Sequence, residues 1–192
     1  MEDIRDERFP IEHMRLMVEG EIGWEDIKKA LRLRPKDRDR FWKYLEVLQQ
    51  KVPWKDKILL RISDHLYIVA KLGGKRVVKC DCGHEFGDYR VNWKLSCRIR
   101  CRRTLEEYAE VMAVEDVLPD MSEVELREYY CPGCFAMVAT EQVPLGYPPL
   151  IEMMPDLDTF YREWLGKPLP DERPDWFQDR TTEAPARWVK EG

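Results

Sequence analysis

The sequence predicts an α+β fold: N-terminal helices, then an antiparallel β-meander leading into a four-cysteine zinc ribbon, then a C-terminal helix and an extended tail. Three observations carry that expectation. Apolar residues recur at helical spacing up to Pro53 and then gather into short β-branched and aromatic runs. Two cysteine pairs, Cys80/Cys82 and Cys131/Cys134, each stand between strand-like segments. The final stretch after Gly166 carries four prolines and many charges without any period. Three segments follow: a helical one over 1–53, a β-rich zinc-ribbon domain over 54–150 with a helical insertion at 97–119, and a helix with its tail over 151–192.

In the first segment, "FPIEHMRLMVEG" sets Ile11, Met14, Leu16, Met17 and Val18 on a broad apolar side, and Gly20 is a natural stop. "GWEDIKKALRLRP" repeats the pattern with Trp24, Ile27, Ala30 and Leu31 and closes at Pro35. "KDRDRFWKYLEVLQQ" spaces Phe41, Tyr44, Leu45 and Leu48 as a third helix. The runs "ILLRI", "HLYIVAK" and "KRVVKC" then read as antiparallel strands, the last two joined by a hairpin at Gly73 and Gly74. "SCRIRCRRTLEEYAEVMAVEDVL" reads as helical in its second half, and "VELREYYCPGCFAMVATEQVP" as strand, knuckle, strand. "DLDTFYREWLG" is a short helix capped by Asp156, with Leu157, Phe160, Tyr161 and Trp164 on its apolar side and Gly166 at its end. In the tail, Trp176, Phe177 and Trp188 suggest a segment lying along its own domain or along a partner.

Composition bounds the function. The chain of 192 residues is 44% hydrophobic but 36% charged, against roughly 25% charged in an ordinary domain. Seven tryptophans in so charged a chain fit either a Trp-rich core or the buried centre of a subunit interface. A net charge of −5 argues against a general nucleic-acid binder. No stretch reaches the roughly eighteen apolar residues that cross a bilayer, and "MEDIRDERFP" lacks the basic, then apolar, pattern of a signal peptide. The expectation is a cytoplasmic protein, in whose reducing surroundings six cysteines read as ligands or catalytic groups before they read as disulfides.

Cys80, Cys82, Cys131 and Cys134 together supply four thiolates, the ligand set of a closed tetrahedral Zn²⁺ site. Glycine after Cys82, and Pro132-Gly133 inside the second pair, allow the tight turns such a site needs. "CPGC" also resembles a redox dithiol, but that chemistry sits at a helix N-terminus in a βαβ setting, and the following "FAMVATEQV" reads as strand. Cys97 and Cys101, four apart, read either as buried thiols or as half of a second metal site. His84 is placed to hydrogen-bond beside the metal or to replace one thiol, whereas His13 and His65 have no partner that sequence supplies. Arg98, Arg100, Arg102 and Arg103 form a basic patch, either for phosphate or for salt bridges. No phosphate loop, nucleophile elbow, H-E-x-x-H or dinucleotide fingerprint occurs, so no catalytic residue is assigned.

The blocks "DRFWKYLEVLQQKVPWKDKILLRISDHLYIV", "RVVKCDCGHEFGDYRVNWKL", "LREYYCPGC" and "DLDTFYREWLGKPLP" resemble the small gamma-type subunit of ATP-dependent ketone carboxylases, the acetone carboxylase and acetophenone carboxylase group, from about Lys36 to Pro170. The resemblance implies a structural Zn²⁺ held by Cys80, Cys82, Cys131 and Cys134. It implies large hydantoinase-like partner subunits that carry the ATP-dependent carboxylation of acetone or acetophenone with bicarbonate, with no catalysis by the small subunit itself. The competing reading from another class is a zinc-ribbon adaptor that grips nucleic acid or a transcription complex through its arginine patch.

Overall fold

The computed structural model describes residues 9–112, 119–174 and 176–183. Three helices come first: α1 (Ile11–Glu19), α2 (Trp24–Arg32) and α3 (Arg40–Lys51). Gly20 closes α1 with φ of 76°, in the left-handed region that an L side chain resists. Alternation of apolar residues then lays down a four-stranded antiparallel sheet in chain order, β1 (Lys57–Arg61), β2 (Leu66–Ala70), β3 (Arg76–Cys80) and β4 (Glu85–Asp88). A 3₁₀ turn at Trp93–Ser96 leads to a second, three-stranded meander of β5 (Arg98–Arg102), β6 (Val124–Tyr130) and β7 (Met137–Pro144), with a short α4 (Leu105–Ala109) inserted between β5 and β6. α5 (Leu157–Thr159) follows, continued as a π-type turn over Phe160–Trp164.

The first sheet is buried on both faces, which is why β2 reads as the unbroken run Leu66-Tyr67-Ile68-Val69 and not as an alternation. Ile58, Tyr67 and Val69 face α3 through Leu45 and Leu48. Leu59, Leu66, Ile68 and Val78 face the other way, onto Tyr129 and Val138 of the second sheet and onto Leu157 and Tyr161. The C-terminal turn thus joins the same core as the N-terminal helices: Phe41 meets Phe160 edge-to-face at 5.1 Å between ring centres, and the Tyr161 hydroxyl donates to the Leu59 carbonyl at 2.7 Å.

A buried ion cluster fixes this arrangement. The wholly buried Arg76 guanidinium donates to both oxygens of Asp158, at 2.6 and 3.1 Å, and to Asp171 at 3.1 Å, while Trp176 lies over it at 4.5 Å. A second buried cation, Lys94, donates to Glu141 and Glu152, each at 2.6 Å.

The stretch expected as a helical insertion over 97–119 begins instead as strand β5. Arg98, Ile99, Arg100, Cys101 and Arg102 alternate at a period of two and pair with β6, Arg100 opposite Glu128 and Arg102 opposite Leu126. Helix appears only at Leu105–Ala109, where Thr104 and Glu107 form a reciprocal capping box. Residues 113–118 of that insertion, and Trp188 of the tail, lie outside the described residues. The second helix forms where expected, but none of its residues is fully buried: Ala30 packs against Phe9, Met14 and Val47, while Trp24 and Leu31 stay exposed. Of the tail aromatics described, Trp176 is buried and Phe177 exposed.

Candidate metal centre

Both cysteine pairs lie in hairpin turns. Cys80 is the last residue of β3, and the chain turns through Cys82 and Gly83 into β4. Cys80 N–H donates to the His84 carbonyl and Gly83 N–H to the Cys80 carbonyl, both at 2.9 Å, a closure that needs the φ of 97° at Gly83. The second turn repeats the plan between β6 and β7. Cys131 N–H donates to the Ala136 carbonyl and Phe135 N–H to the Cys131 carbonyl, again both at 2.9 Å. Gly133 N–H donates to the Cys131 sulfur at 3.4 Å.

The first sheet and the second bring these turns face to face. The four sulfurs of Cys80, Cys82, Cys131 and Cys134 all lie within 4.8 Å of one another. Across the two hairpins, Cys80 Sγ stands 3.8 Å from Cys134 Sγ, and Cys82 Sγ 3.7 Å from Cys131 Sγ. Four sulfurs held about 2.3 Å from one zinc ion at tetrahedral angles are about 3.8 Å apart, so the spacing is that of a filled tetrahedron. A disulfide needs about 2.05 Å, and all four thiols are free. The set is positioned to bind a metal ion.

Burial alternates around the centre: Cys80 and Cys131 are buried, Cys82 and Cys134 exposed. Burial pushes the Cys80 thiol well above its ordinary range, so a bound cation is what would make its thiolate tolerable. Packing is tight enough that a methyl group on Gly133 would stand 2.9 Å from His84 Cβ and 3.3 Å from the Cys82 sulfur. Trp54 braces the first turn from outside, its indole N–H shared between the carbonyls of Cys80 and Asp81, each at 3.0 Å.

The remaining candidates separate from the cluster. His84 supplies its carbonyl to Cys80 and sets its ring edge-on to Phe86 at 5.0 Å. His65 Nδ1 meets the Asp81 carboxylate at 2.7 Å, and the His13 ring packs edge-on to Phe9. Cys97 donates to the Trp93 carbonyl at 3.7 Å, and burial pushes its thiol up to about 12. Among the described residues neither Cys97 nor Cys101 joins a metal-competent group. The arginine patch is mostly spent within the chain: Arg100 pairs with Glu110, Arg102 with Glu110 and Glu128, and Arg103 with Glu125. Arg98 stacks over Phe135 at 5.4 Å. "CPGC" lies in a turn between strands with no helix behind it, so the helix dipole that activates a redox dithiol is missing.

Trp54 and Gly133 are the supporting residues that sequence reasoning passed over. In the sequence Trp54 belongs to a chain break and Gly133 to a turn; nothing there shows that one braces the first knuckle and the other lets it approach.

The sequence around this centre is matched by relatives. The description of the acetone carboxylase gamma subunit family matches residues 52–165, which include both knuckles and both sheets. The chain belongs to the acetone carboxylase gamma subunit family. It is 40% identical over 156 residues to the acetone carboxylase gamma subunit of Xanthobacter autotrophicus, spanning 81% of this chain and 92% of that one. It is also 34% identical over 80 residues to the acetophenone carboxylase beta subunit of Aromatoleum aromaticum, 41% of this chain and 62% of the relative. Among the described residues no helix is long and apolar enough to cross a membrane.

Proposed function

We propose that the chain is a non-catalytic, zinc-binding structural subunit of a multi-subunit ATP-dependent ketone carboxylase, with Cys80, Cys82, Cys131 and Cys134 as the zinc ligands. The observation that carries this reading is the gathering of four thiols at tetrahedral spacing in a member of this family. All-sulfur ligation from two hairpins suits Zn²⁺, and four protein ligands leave no position for a water, so the ion holds the fold together and does not activate substrate. In zinc-finger peptides such a site contributes about 10–16 kcal/mol to folding. Free thiols of this kind persist in a reducing compartment, which favours the cytoplasm.

By this reading, large hydantoinase-like subunits carry the ATP-dependent carboxylation of the ketone with bicarbonate to a 3-oxo acid. The longer and more identical match to the acetone carboxylase relative favours acetone over acetophenone as the ketone. The adaptor reading loses its support, since three of the four arginines it relies on are already neutralised inside the chain.

Metal analysis of the complex co-purified with its partner subunits tests the proposal, together with ATPase assays on the chain alone. The expected result is one zinc per chain and no ketone-dependent ATP hydrolysis by the isolated subunit. Ketone-dependent hydrolysis by the single chain, or a complex free of metal at this site, would overturn it.

A further inference from the structure

A second feature lies at the opposite pole of the chemistry, where the α2–α3 loop meets the C-terminal turn. A cleft of about 620 Å³ opens between them, lined among others by Arg38, Arg40, Phe41, Phe160 and Trp164. That volume is comparable with the roughly 300–1,000 Å³ of ligand clefts. Trp164 is 79% exposed, although its neighbour Tyr161 is fully buried, and its ring lies tilted beside Phe160 at 6.4 Å.

The loop "RLRPKDRDR" places Arg32, Arg34, Arg38 and Arg40 within nine residues, all exposed. Its own carboxylates offset them only in part: Asp37 and Asp39 both pair with Lys43, at 2.7 and 3.0 Å, which leaves one negative charge against four guanidinium groups. Lys36 is likewise committed, donating to the Ala30 and Leu31 carbonyls at 2.9 and 2.8 Å. Among the described residues none of the four guanidinium groups makes an ion pair or hydrogen bond, whereas those of Arg100, Arg102 and Arg103 are all paired. Arginines with no side-chain partner among the described residues, beside an exposed tryptophan, are the residue types that anchor the centres of protein interfaces.

We propose that this cleft is the docking surface for an acidic segment of a partner carboxylase subunit, its carboxylates meeting Arg38 and Arg40 and an apolar side chain entering beside Trp164. The inference rests on the subunit role proposed above and adds the face that serves it. Charge decides the occupant: the cations are surplus here in a chain whose net charge is −5, so the local field selects carboxylates while the whole molecule repels a phosphate backbone.

The test uses the full chain and the partner subunits of its complex. Arg38→Glu/Arg40→Glu and Trp164→Ala are each compared with wild type for affinity at about 50 and about 300 mM salt, a range over which exposed ion pairs are progressively screened. Metal content and melting temperature of each isolated variant report whether it has folded. The expected outcome is normal metal content with affinity lower by about tenfold or more for each variant. The arginine variant should also lose the salt dependence that wild type shows. If wild type joins the complex and folded variants join it equally well, the docking surface is wrong and the subunit role stands. If wild type joins no such complex, both fail together. Loss of self-association in the variants, or loss of binding to a labelled single-stranded oligonucleotide, would overturn the acidic partner in favour of a second copy or a nucleic acid.

Discussion

Replacing Gly133 by alanine tests the metal centre without touching a ligand. The added methyl would lie 2.9 Å from His84 Cβ, 3.3 Å from the Cys82 sulfur and 3.4 Å from His84 Cγ. Carbon atoms rest at about 3.5–4.0 Å, so the hairpin carrying Cys82 must retreat by roughly 0.6 Å or more. The cross-hairpin sulfur spacings of 3.7 and 3.8 Å already match those a tetrahedron around one ion would require, so such a retreat would spoil the fit to a metal. Overpacking of this kind costs about 1–3 kcal/mol. Borne by the metal-bound state, that is about a 5- to 150-fold loss of metal affinity. Competition against a chromophoric chelator measures it. Gly146→Ala is the control: its φ of 75° strains the backbone, but nothing lies within 4 Å of the new methyl. It should lower stability by about 1 kcal/mol and metal affinity much less than Gly133→Ala does. Equal affinity losses in the two variants, or a Gly133→Ala protein within about twofold of wild type, would refute the argument that the two knuckles close on one ion.

Arg76→Ala should destabilise the protein by about 3–5 kcal/mol, since it strands the buried Asp158 carboxylate, and chemical denaturation should show Arg76→Met/Asp158→Asn recovering part of the loss. Serine at Cys97 or Cys101 should leave metal stoichiometry unchanged, while serine at Cys80, Cys82, Cys131 or Cys134 should reduce it; loss of metal from the Cys101 variant would place that thiol in the centre. For Asp37, burial raises the pKa, but hydrogen bonding with Asp39 and the Lys43 ammonium outweighs it and holds the carboxyl at about 2. A pKa depressed on folding gives stability that is full above the unfolded value of about 3.9 and is lost as pH falls toward 2. The gap in urea midpoint between wild type and Asp37→Asn should therefore be wide at about pH 7 and narrow at about pH 3; an equal gap would remove Asp37 from that account.

The sequence made the helices and strands of the first sheet legible because burial there is simple. Ile58, Tyr67 and Val69 meet α3 while Leu59, Leu66 and Ile68 meet the second sheet, so the apolar positions of these runs are used on both faces. It also pointed to the four thiols that the fold gathers, since two cysteine pairs in turn-forming contexts that form no disulfide have few other uses. β5 was hidden for the opposite reason. Its alternating arginines resemble a charged helix start, and only the acidic residues across the sheet and in α4 explain them: Arg102 meets Glu128 and Arg100 meets Glu110. Those partners lie 26 and 10 residues away, beyond what local periodicity can reach. The bracing by Trp54 and the close approach at Gly133 were hidden likewise, because each depends on a neighbour from another turn of the chain.

The two long-range ties of this fold converge on one five-residue strand. β3 begins at Arg76, whose guanidinium gathers Asp158 and Asp171 from the C-terminal segment, and ends at Cys80, whose thiol gathers the hairpin that carries Cys131 and Cys134. These contacts close loops of 82 and 95 residues at one end and 54 at the other. Loop-closure entropy grows only slowly with length, so such distant joints are affordable when the contact itself is strong. A buried bidentate ion pair and a four-thiol metal site are the kinds of contact that suffice. By contrast, the cleft lies between the α2–α3 loop, which carries Arg38 and Arg40, and the C-terminal turn, which carries Trp164 and follows the Asp158 that Arg76 holds, whereas Cys80 ends β3. On the proposed reading, a metal bound at one end of β3 and the ion cluster at the other would together hold the fold that presents the docking cleft, so one short strand would serve both parts of the proposed subunit role.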